Sequence, residues 1–408
     1  MNLYHLKRIV KKIVNYFFRF ISFFIRRSNK IVIFGGWFGN RFADNSKALF
    51  LFMSQNKKEL ALEKVIYTTK NAKIVNELKG SGYDALYVGS LLSLKYHLKA
   101  GYHVVDMGGK DLLRNTSCDA TRVNLWHGFP LKKIGYYTTN PDFSLENAIE
   151  HNNHQEELGY WNKVYNLVVS EKHKQLQQHA FGLDEEKMII GIYPRIAYML
   201  GIIDKFYLKS EIDAKDKIEH LLKSKKKIVG YFPTFRDDSK MNQKCFSLPN
   251  DITDFLNSED AYLITKMHFA SDAQLIKGNE RVINLLPESD VYNFLYYLDI
   301  LITDYSSIYF DFLIFNKPII FYCFDLDYYI NKDRGFLIDY ETFAPGDKVY
   351  SVNELKEALK IVIIDSNSYL NKYEKEYTAT QELTNLYSRE YTYKNLIELS
   401  EKILSIRA

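Results

Sequence analysis

The sequence predicts an α/β protein made of two doubly wound, Rossmann-like halves, and three observations support this fold class. The chain has 408 residues, of which 47% are hydrophobic and 25% charged, so it is long enough to bury two sizeable cores. Short apolar, β-prone runs alternate along it with segments of helical periodicity. The stretch Asp299–Cys323 contains one complete unit of strand, turn, helix and strand, which is the repeat of a parallel sheet covered by helices.

The first half alternates regularly between strand and helix. Helical periodicity is found at about residues 44–56, 71–80, 91–100 and 172–181. The glycine-rich run 35–39 follows the first strand without spelling G-x-G-x-x-G, so it predicts a close backbone approach in a cleft rather than a dinucleotide site. The strands of this half are predicted at Ile31–Phe34, Lys64–Thr68, Asp84–Val88, Tyr102–Met107, Arg122–Trp126 and Tyr165–Val169.

The second half repeats this pattern after a predicted crossover near Tyr198–Lys209. We therefore divide the chain into an N-terminal segment (1–27), a first Rossmann-like domain (28–200), a second one (201–385) and a C-terminal helix (386–408) expected to pack back on the first domain. Strands are predicted at Lys227–Phe232, Ala261–Met267, Val282–Leu285, Leu301–Thr303 and Pro318–Phe324. Helices are predicted at Val291–Leu298, Ser306–Phe315, 352–365, 367–384 and 393–406.

Composition excludes several classes of protein. The three cysteines are far apart and form no C-x-x-C pair, which argues against a disulfide framework and a cysteine-based zinc site and fits a reducing compartment. A net charge of +4 is small for this length, so the total charge gives no case for a nucleic-acid partner. No stretch offers about eighteen uncharged apolar residues, so the sequence predicts no membrane-spanning helix.

Residues 1–27 are basic and aromatic. This segment contains seven lysines and arginines and no acidic residue, interleaved with phenylalanine and aliphatic side chains. The pattern predicts a basic amphipathic helix at an anionic membrane surface, with aromatic rings at the acyl boundary and cations at the head groups. The alternative is an ordinary helix packed on the first domain. The cationic residues are Lys7, Arg8, Lys11, Lys12, Arg19, Arg26 and Arg27.

Three strand ends of the second half carry polar or cationic side chains: Arg236, His268, and Asp304 with Ser306 and Ser307. Parallel strands present their carboxyl ends on one edge of a sheet, so these groups are expected on one rim. Hydroxyls and a planar guanidinium on that rim indicate a binding site for a nucleotide pyrophosphate. The alternatives are ordinary helix caps at Asp304 and Ser306, and a salt bridge from Arg236 to a neighbouring aspartate.

A histidine loop leaves a strand end in the first half. His127 follows a predicted strand, and the Gly128 and Pro130 that come next favour an irregular loop. A histidine at this position can take a proton from an acceptor hydroxyl, and Lys132 and Lys133 add positive charge where a phosphorylated acceptor can lie. The alternative is a solvent-exposed histidine beside two ordinary lysines.

The sequence Asp325-Leu326-Asp327 permits a divalent metal site. Two acidic side chains in a tyrosine-rich loop are, however, more typical of solvated or helix-capping groups. We therefore predict no metal ligand here. Electrostatic stabilisation by Arg236, His268 and the hydroxyl groups can replace a metal, which predicts a reaction that needs no cofactor.

Taken together and in this order, four stretches resemble the CDP-glycerol glycerophosphotransferase family of teichoic-acid and capsule synthesis. The stretches are Trp126-His127-Gly128 with Pro130-Leu131-Lys132; Pro233-Thr234-Phe235-Arg236-Asp237; Lys266-Met267-His268; and Thr303-Asp304-Tyr305-Ser306-Ser307, followed by Asp311-Phe312, Lys317-Pro318, Arg334-Gly335-Phe336 and Ala344-Pro345-Gly346. They cover roughly residues 120–350, and their order and spacing are more specific than any one of them.

The resemblance implies a GT-B-like pair of Rossmann-type domains facing a cleft. It implies transfer of a polyol phosphate, most simply glycerol phosphate, from a CDP-activated donor on the second domain to a lipid-linked or oligosaccharide acceptor on the first. It also implies a peripheral location on the cytoplasmic face of the cell membrane. At Phe129 and Phe269 the sequence differs from the residues that are common in the family. These two differences leave the identities of the polyol and of the acceptor open.

The resemblance also assigns roles to residues. His127 resembles the family's loop histidine proposed as base, and His268 a second histidine near the donor phosphates. Donor phosphates are expected at Arg236, Asp304, Ser306, Ser307, Arg334 and Gly335, and the acceptor at Gly128, Lys132 and Lys133.

Two rival interpretations remain at this stage. The general layout also fits a GT-B glycosyltransferase that uses a nucleotide sugar for a surface polysaccharide. From another class, it fits a non-catalytic membrane-surface binding protein regulated by a nucleotide.

Overall fold

A computed structural model gives the architecture of the chain. It describes residues 13–14, 16–18, 20–22, 24–113, 116, 120–137, 164–234, 236, 238–266, 280–385 and 391–406. Within these residues the chain forms two parallel sheets, each covered by helices, which confirms the α/β class and the GT-B-like layout expected from the resemblance.

The N-terminal lobe is built on a seven-stranded sheet in the order β3-β2-β1-β4-β5-β6-β7. All of its neighbouring strands pair in parallel. Six of the strands fall on the apolar runs that predicted them, and β7 follows the charged segment 183–187, where no strand was predicted. The strands are β1 Ser28–Phe34, β2 Lys64–Thr69, β3 Ala85–Tyr87, β4 Ala100–Val105, β5 Thr121–Asn124, β6 Val164–Val168 and β7 Met188–Ile190.

The C-terminal lobe repeats this topology with six strands in the order β10-β9-β8-β11-β12-β13, again all parallel. The outermost strand, β13, has only two residues and therefore carries no readable period. The strands are β8 Lys227–Tyr231, β9 Ala261–Thr265, β10 Val282–Asn284, β11 Ile300–Thr303, β12 Ile319–Tyr322 and β13 Lys348–Val349.

Several helices begin at a side-chain cap. Asn71, Ser170 and Asp238 each accept a hydrogen bond from a backbone N–H in the first turn of the helix that follows. The helices are α1 Asp44–Gln55, α2 Ala72–Gly80, α3 Leu91–Lys99, α4 Glu171–Phe181, α5 Pro194–Met199, α6 Lys209–Lys223, α7 Ser239–Asp251, α8 Thr253–Ser258, α9 Ile308–Phe312, α10 Leu326–Tyr328, α11 Tyr340–Phe343, α12 Val352–Ile364, α13 Ser366–Lys372, α14 Glu374–Thr384 and α15 Tyr393–Ser405.

Three predicted helices differ from the observed ones. The helix expected at Val291–Leu298 is two short 3-10 turns, Val291–Asn293 and Leu295–Tyr297. The helix expected at Ser306–Phe315 begins two residues later and ends in a 3-10 turn. The segment 367–384 is split into α13 and α14.

Buried ion pairs join the two lobes. On α5, Arg195 donates to Asp44 of α1 at 2.6 Å and lies 2.9 Å from Asp311 of α9, with every side chain at most 3% exposed. Lys47 of α1 reaches across to Asp290 at 3.0 Å. The Arg195–Asp311 and Lys47–Asp290 pairs each link a residue of the N-terminal lobe to one of the C-terminal lobe, so they hold the lobes in one defined arrangement.

The C-terminal helix α15 packs on the N-terminal lobe. Tyr393 donates a hydrogen bond to Asn56 at 2.6 Å, and Tyr102 donates to the carbonyl of Leu404 at 2.6 Å. The end of the chain therefore returns to the first lobe after the second is complete.

The described residues between 13 and 24 in the N-terminal segment are helical and present aromatic rings to solvent. Phe20 and Phe24 are 65% and 69% exposed and lie in edge-to-face contact. Arg27 points the other way: its guanidinium donates to the carbonyls of His97, Ala100 and Thr116. Throughout the described part of the chain, no helix combines the length and apolar character needed to cross a bilayer.

Candidate active site

The carboxyl ends of the two sheets meet at a cleft. A cavity of about 270 Å³ lies there, and both lobes line it. The N-terminal lobe contributes the residues after β1 and β5, and the C-terminal lobe those after β8, β9, β10 and β11, as expected for ligand sites of parallel sheets. Its principal polar lining residues are Arg41, Asp44, His127, Lys266, Asp290, Ser306 and Ser307.

His127 has a defined tautomer in this cleft. Its Nδ1 lies 3.4 Å from the carbonyl oxygen of Asp106, and because a carbonyl can only accept, Nδ1 carries the hydrogen. The lone pair is therefore on Nε2. Burial lowers the pKa of His127, although Asp44 and the Asp106 carbonyl oppose this, so the ring is neutral at physiological pH. A neutral imidazole with a free Nε2 can act as a general base.

Asp111 fixes the carbonyl that orients His127. Its carboxylate accepts from the backbone N–H groups of Asp106 and Met107 at 3.0 and 2.7 Å, and from that of Phe38 at 2.7 Å. Burial raises the pKa of Asp111 to about 6. Loops after β1 and β4 are thereby tied together beneath the imidazole.

The His127 loop touches the serine turn of the other lobe. At Gly128 an added Cβ would lie 2.5 Å from Ser307 Oγ, closer than such atoms approach each other. Gly135, at the far end of the loop, has a φ of +54°, and a Cβ there would meet the carbonyl oxygen of Ala180 at 1.8 Å. The two glycines allow the loop to lie between the C-terminal lobe and the end of α4.

Ser306 and Ser307 line the cleft, whereas Arg236 lies beneath them. Arg236 is fully buried; it donates to both oxygens of Asp325 at 2.9 Å and to Asp304 at 2.5 Å, and it lies 4.9 Å from the centre of the Tyr305 ring. A direct contact from Arg236 to a ligand would require this cluster to open. In this arrangement Arg236 supports the turn instead of facing the cleft.

Asp304 is likewise committed to the protein. Its carboxylate accepts from the backbone N–H of Thr234 at 2.8 Å as well as from Arg236, so it joins the ends of β8 and β11. Both carboxylate oxygens of Asp325 are held by Arg236, and one also accepts from Tyr305. Because both of its carboxylate oxygens already accept hydrogen bonds, Asp325 does not offer the open carboxylate that a metal site in Asp325-Leu326-Asp327 would need.

Lys132 and Lys133, expected on the acceptor side, lie against the C-terminal lobe. Lys132 Nζ is 3.5 Å from Thr234 Oγ1, and the backbone N–H of Lys133 donates to the carbonyl of Gly335 at 3.2 Å. Burial lowers the pKa of Lys132 to about 8, with the carboxylate of Asp304 opposing. Arg334 is exposed beside this contact. The positive charge of Lys132 is therefore close to the donor-side turn.

Three cleft residues were not identified as site candidates from the sequence. The Arg41 guanidinium lies 4.9 Å from the Trp37 ring centre, and burial lowers its pKa. Lys266 donates to the Ser289 carbonyl, and burial together with Arg41 lowers its pKa to about 7. Trp37 Nε1 is buried with no hydrogen-bond partner among the described residues. Two sequence features could have identified these residues: the glycine run 35–39 and the Lys266-Met267-His268 stretch.

Backbone strain is concentrated around the cleft. Trp37, Phe38, Asp44 and Trp126 all have a positive φ, between 48° and 67°, which costs free energy for residues other than glycine. All four lie in loops or helix starts that border His127.

Of the remaining predicted site residues, His268 lies outside the described residues.

The comparison with known protein families decides the assignment. The family described as CDP-glycerol:poly(glycerophosphate) glycerophosphotransferase matches residues 16–398. The chain belongs to this family. The match spans both lobes and includes the resemblance noted from the four sequence stretches.

Similar proteins agree with this membership. The chain is 26% identical over 392 residues to a teichoic acid glycerol-phosphate transferase of Staphylococcus aureus, covering 90% of this chain and 92% of that protein. It is 26% identical over 368 residues to a teichoic acid poly(glycerol phosphate) polymerase of Bacillus spizizenii, covering 86% and 88%. A solved structure of the wall teichoic acid polymerase TagF has the same fold, with a TM-score of 0.72, 22% identity, and coverage of 98% and 95%.

Proposed function

We propose that this protein transfers glycerol phosphate from CDP-glycerol to a hydroxyl group of a membrane-linked acceptor and releases CMP. Family membership supports the reaction class. The observation that carries the proposal is the position of His127, whose loop touches Ser307 through Gly128 while its Nδ1 is committed to a carbonyl. A base in one lobe thus faces hydroxyl donors in the other.

The reaction follows from these groups. His127 Nε2 removes the proton from the acceptor hydroxyl, whose oxygen forms a bond to the β-phosphorus of the donor. The bond from that phosphorus to the bridging oxygen breaks, and CMP leaves with the electron pair. Ser306, Ser307 and the cations Arg41 and Lys266 stabilise charge on the phosphate oxygens. These groups need no metal for this role, so we expect turnover to persist in EDTA.

The experiment is product analysis with purified full-length protein. It is incubated with CDP-glycerol or CDP-ribitol and a lipid-linked acceptor, and the products are weighed by mass spectrometry. We expect CMP together with an acceptor enlarged by one or more glycerol phosphate units. Transfer of a sugar from a nucleotide sugar, with no polyol phosphate transfer, would contradict the proposal. Loss of turnover in EDTA with recovery in magnesium would contradict its metal-independent part.

The proposed acceptor also implies a membrane-surface location. The exposed rings of the N-terminal segment, among them Phe17, Phe20 and Phe24, form an apolar face beside basic residues. We expect the protein to sediment with vesicles that contain anionic lipid, and F20S/F24S to reduce the bound fraction several-fold. Undiminished sedimentation of the double variant would contradict this part.

A further inference from the structure

A second cavity, of about 410 Å³, lies within the N-terminal lobe and shares His127 with the cleft. It is bordered by β5, by the first part of β6 and by the C-terminal end of α4. His127 therefore lies between two cavities, one lined by both lobes and one lined by the N-terminal lobe alone. Its principal lining residues are Asn124, Trp126, Asn166, Gln177, Phe181 and Leu183.

Two aromatic rings form one part of this cavity. The rings of Trp126 and Phe181 lie 5.4 Å apart in edge-to-face contact. The positive φ of Trp126, 61°, gives its ring an unusual position at the end of a strand. Aromatic rings in a pocket pack well against the C–H faces of a sugar or polyol, which are apolar.

Neutral amides form the polar part. Asn124 Nδ2 donates to Asn166 Oδ1 at 3.2 Å. Gln177 is fully buried, and its Oε1 is without a hydrogen-bond partner among the described residues. A buried amide oxygen left unpaired costs free energy, which a ligand hydroxyl can recover.

The charged groups of this cavity do not form an anion site. Lys187 is paired with Asp184 at 3.0 Å, and Arg122 is buried and engaged with other groups of the protein. Apart from His127, the remaining polar side chains are amides, which bind hydroxyl groups without attracting a phosphate. The cavity therefore differs from the cleft, where Arg41 and Lys266 lie.

We infer that this cavity binds a neutral, hydroxyl-rich unit of the acceptor, such as a pyranose ring or a polyol. This inference rests on the proposed function, because it places the acceptor on one face of His127 and the donor phosphates on the other. The volume suits one or two such units. Since His127 lines both cavities, a hydroxyl of the bound unit can approach it without crossing the donor site.

Steady-state kinetics of Phe181→Ala test the inference. We expect the KM for the acceptor to rise at least tenfold and the KM for CDP-glycerol to change less than twofold, because only the acceptor contacts Phe181. Phe255→Ala is the matched control: it removes a partly buried ring of the C-terminal lobe that borders neither cavity. An unchanged acceptor KM in Phe181→Ala, or an equal effect of Phe255→Ala, would overturn the inference.

A binding measurement separates this inference from the proposed function. Purified protein is titrated with N-acetylglucosamine and, separately, with inorganic phosphate, and binding is followed by saturation-transfer NMR and by Trp fluorescence. We expect the sugar to bind, phosphate not to displace it, and Phe181→Ala to abolish binding while Phe255→Ala retains it. Displacement of the sugar by phosphate, or sugar binding unaffected in Phe181→Ala, would overturn the assignment. Absence of CMP release with every donor would instead defeat the proposed function alone.

Discussion

At the scale of single residues, the protonation state of His127 governs the proposed reaction. Burial lowers its pKa below the usual value of 6.5, and only the neutral ring can accept a proton. We therefore expect kcat/KM to be constant near neutral pH and to fall as the pH drops through the lowered pKa. A pH–rate profile measures this limb. We expect His127→Gln to lose about 10²–10⁴-fold in kcat; a rate within threefold of the natural protein would remove His127 as the base.

Arg236 gives a second test at this scale. A role in supporting the turn predicts a loss of stability when Arg236 is replaced, whereas a role as a phosphate clamp predicts a higher KM for CDP-glycerol. Its removal leaves the buried carboxylates of Asp304 and Asp325 without their cation, which costs about 3–5 kcal/mol of unfolding free energy. We expect Arg236→Ala to show this loss in urea denaturation. A direct phosphate clamp would instead raise the KM for CDP-glycerol and leave the stability unchanged, and that result would contradict the supporting role.

At the scale of elements, contact between the His127 loop and the Ser306–Ser307 turn aligns base and donor site. We expect Gly128→Ala to lower kcat by more than tenfold, because its Cβ meets Ser307 Oγ at 2.5 Å and pushes the loop from the turn. The matched control is Gly80→Ala, where no atom lies within 4 Å of the new Cβ. A double variant Gly128→Ala/Ser307→Gly that is no slower than Ser307→Gly alone would support the steric cause, and an unaltered rate in Gly128→Ala would refute it.

The N-terminal segment contains two adjacent arginines with different surroundings. Arg27 donates to three carbonyl oxygens of the N-terminal lobe, whereas Arg26 is exposed. We expect Arg27→Ala to lose about 2–3 kcal/mol of unfolding free energy, since hydrogen bonds from a charged group are strong. Arg26→Ala should lose less than about 0.5 kcal/mol. Equal losses in thermal or urea unfolding would show that Arg27 does not anchor the segment.

Local sequence patterns predicted the strands and helices well where a single pattern, such as an apolar run or a capping residue, determines the element. Buried parallel strands such as β11 are continuous apolar runs, and capped helices such as α2 begin at a visible Asn71. Val291–Leu298 became two 3-10 turns because tertiary contacts override helix propensity there: Tyr292 donates to Asp311 at 2.9 Å. β13 was missed because two residues have no period.

The site was harder to predict because its contacts join distant parts of the chain. The ends of β8 and β11 lie side by side as predicted, since topology alone brings these strands together, whereas the third predicted end, at His268, lies outside the described residues. The pairing of Arg236 with Asp325, 89 residues away, cannot be read from local spacing. The same holds for Arg41, which is placed by the irregular loop after β1, and for the cavity bounded by Phe181.

At the scale of the whole molecule, buried charges make the two lobes one structural unit. Ion pairs involving Lys47 and Arg195 cross between them, and α15 returns to the first lobe after the second is complete. The cleft geometry at His127 therefore depends on Lys47 and Arg195, which do not line the cleft themselves. A change in these pairs is expected to alter stability and catalysis together.

Arg195 provides the test of this dependence. Arg195→Met leaves Asp44 and Asp311 as buried carboxylates without a cation, so we expect a loss of about 3–5 kcal/mol in urea unfolding and a lower rate of CMP release. Arg281→Met is the matched control, because Arg281 pairs with Asp260 on the surface of one lobe and should lose less than about 1 kcal/mol. Arg195→Met combined with Asp44→Asn and Asp311→Asn should regain much of the stability, because the uncompensated charges are gone. If Arg195→Met cost no more than Arg281→Met, the lobes would not be coupled through this residue.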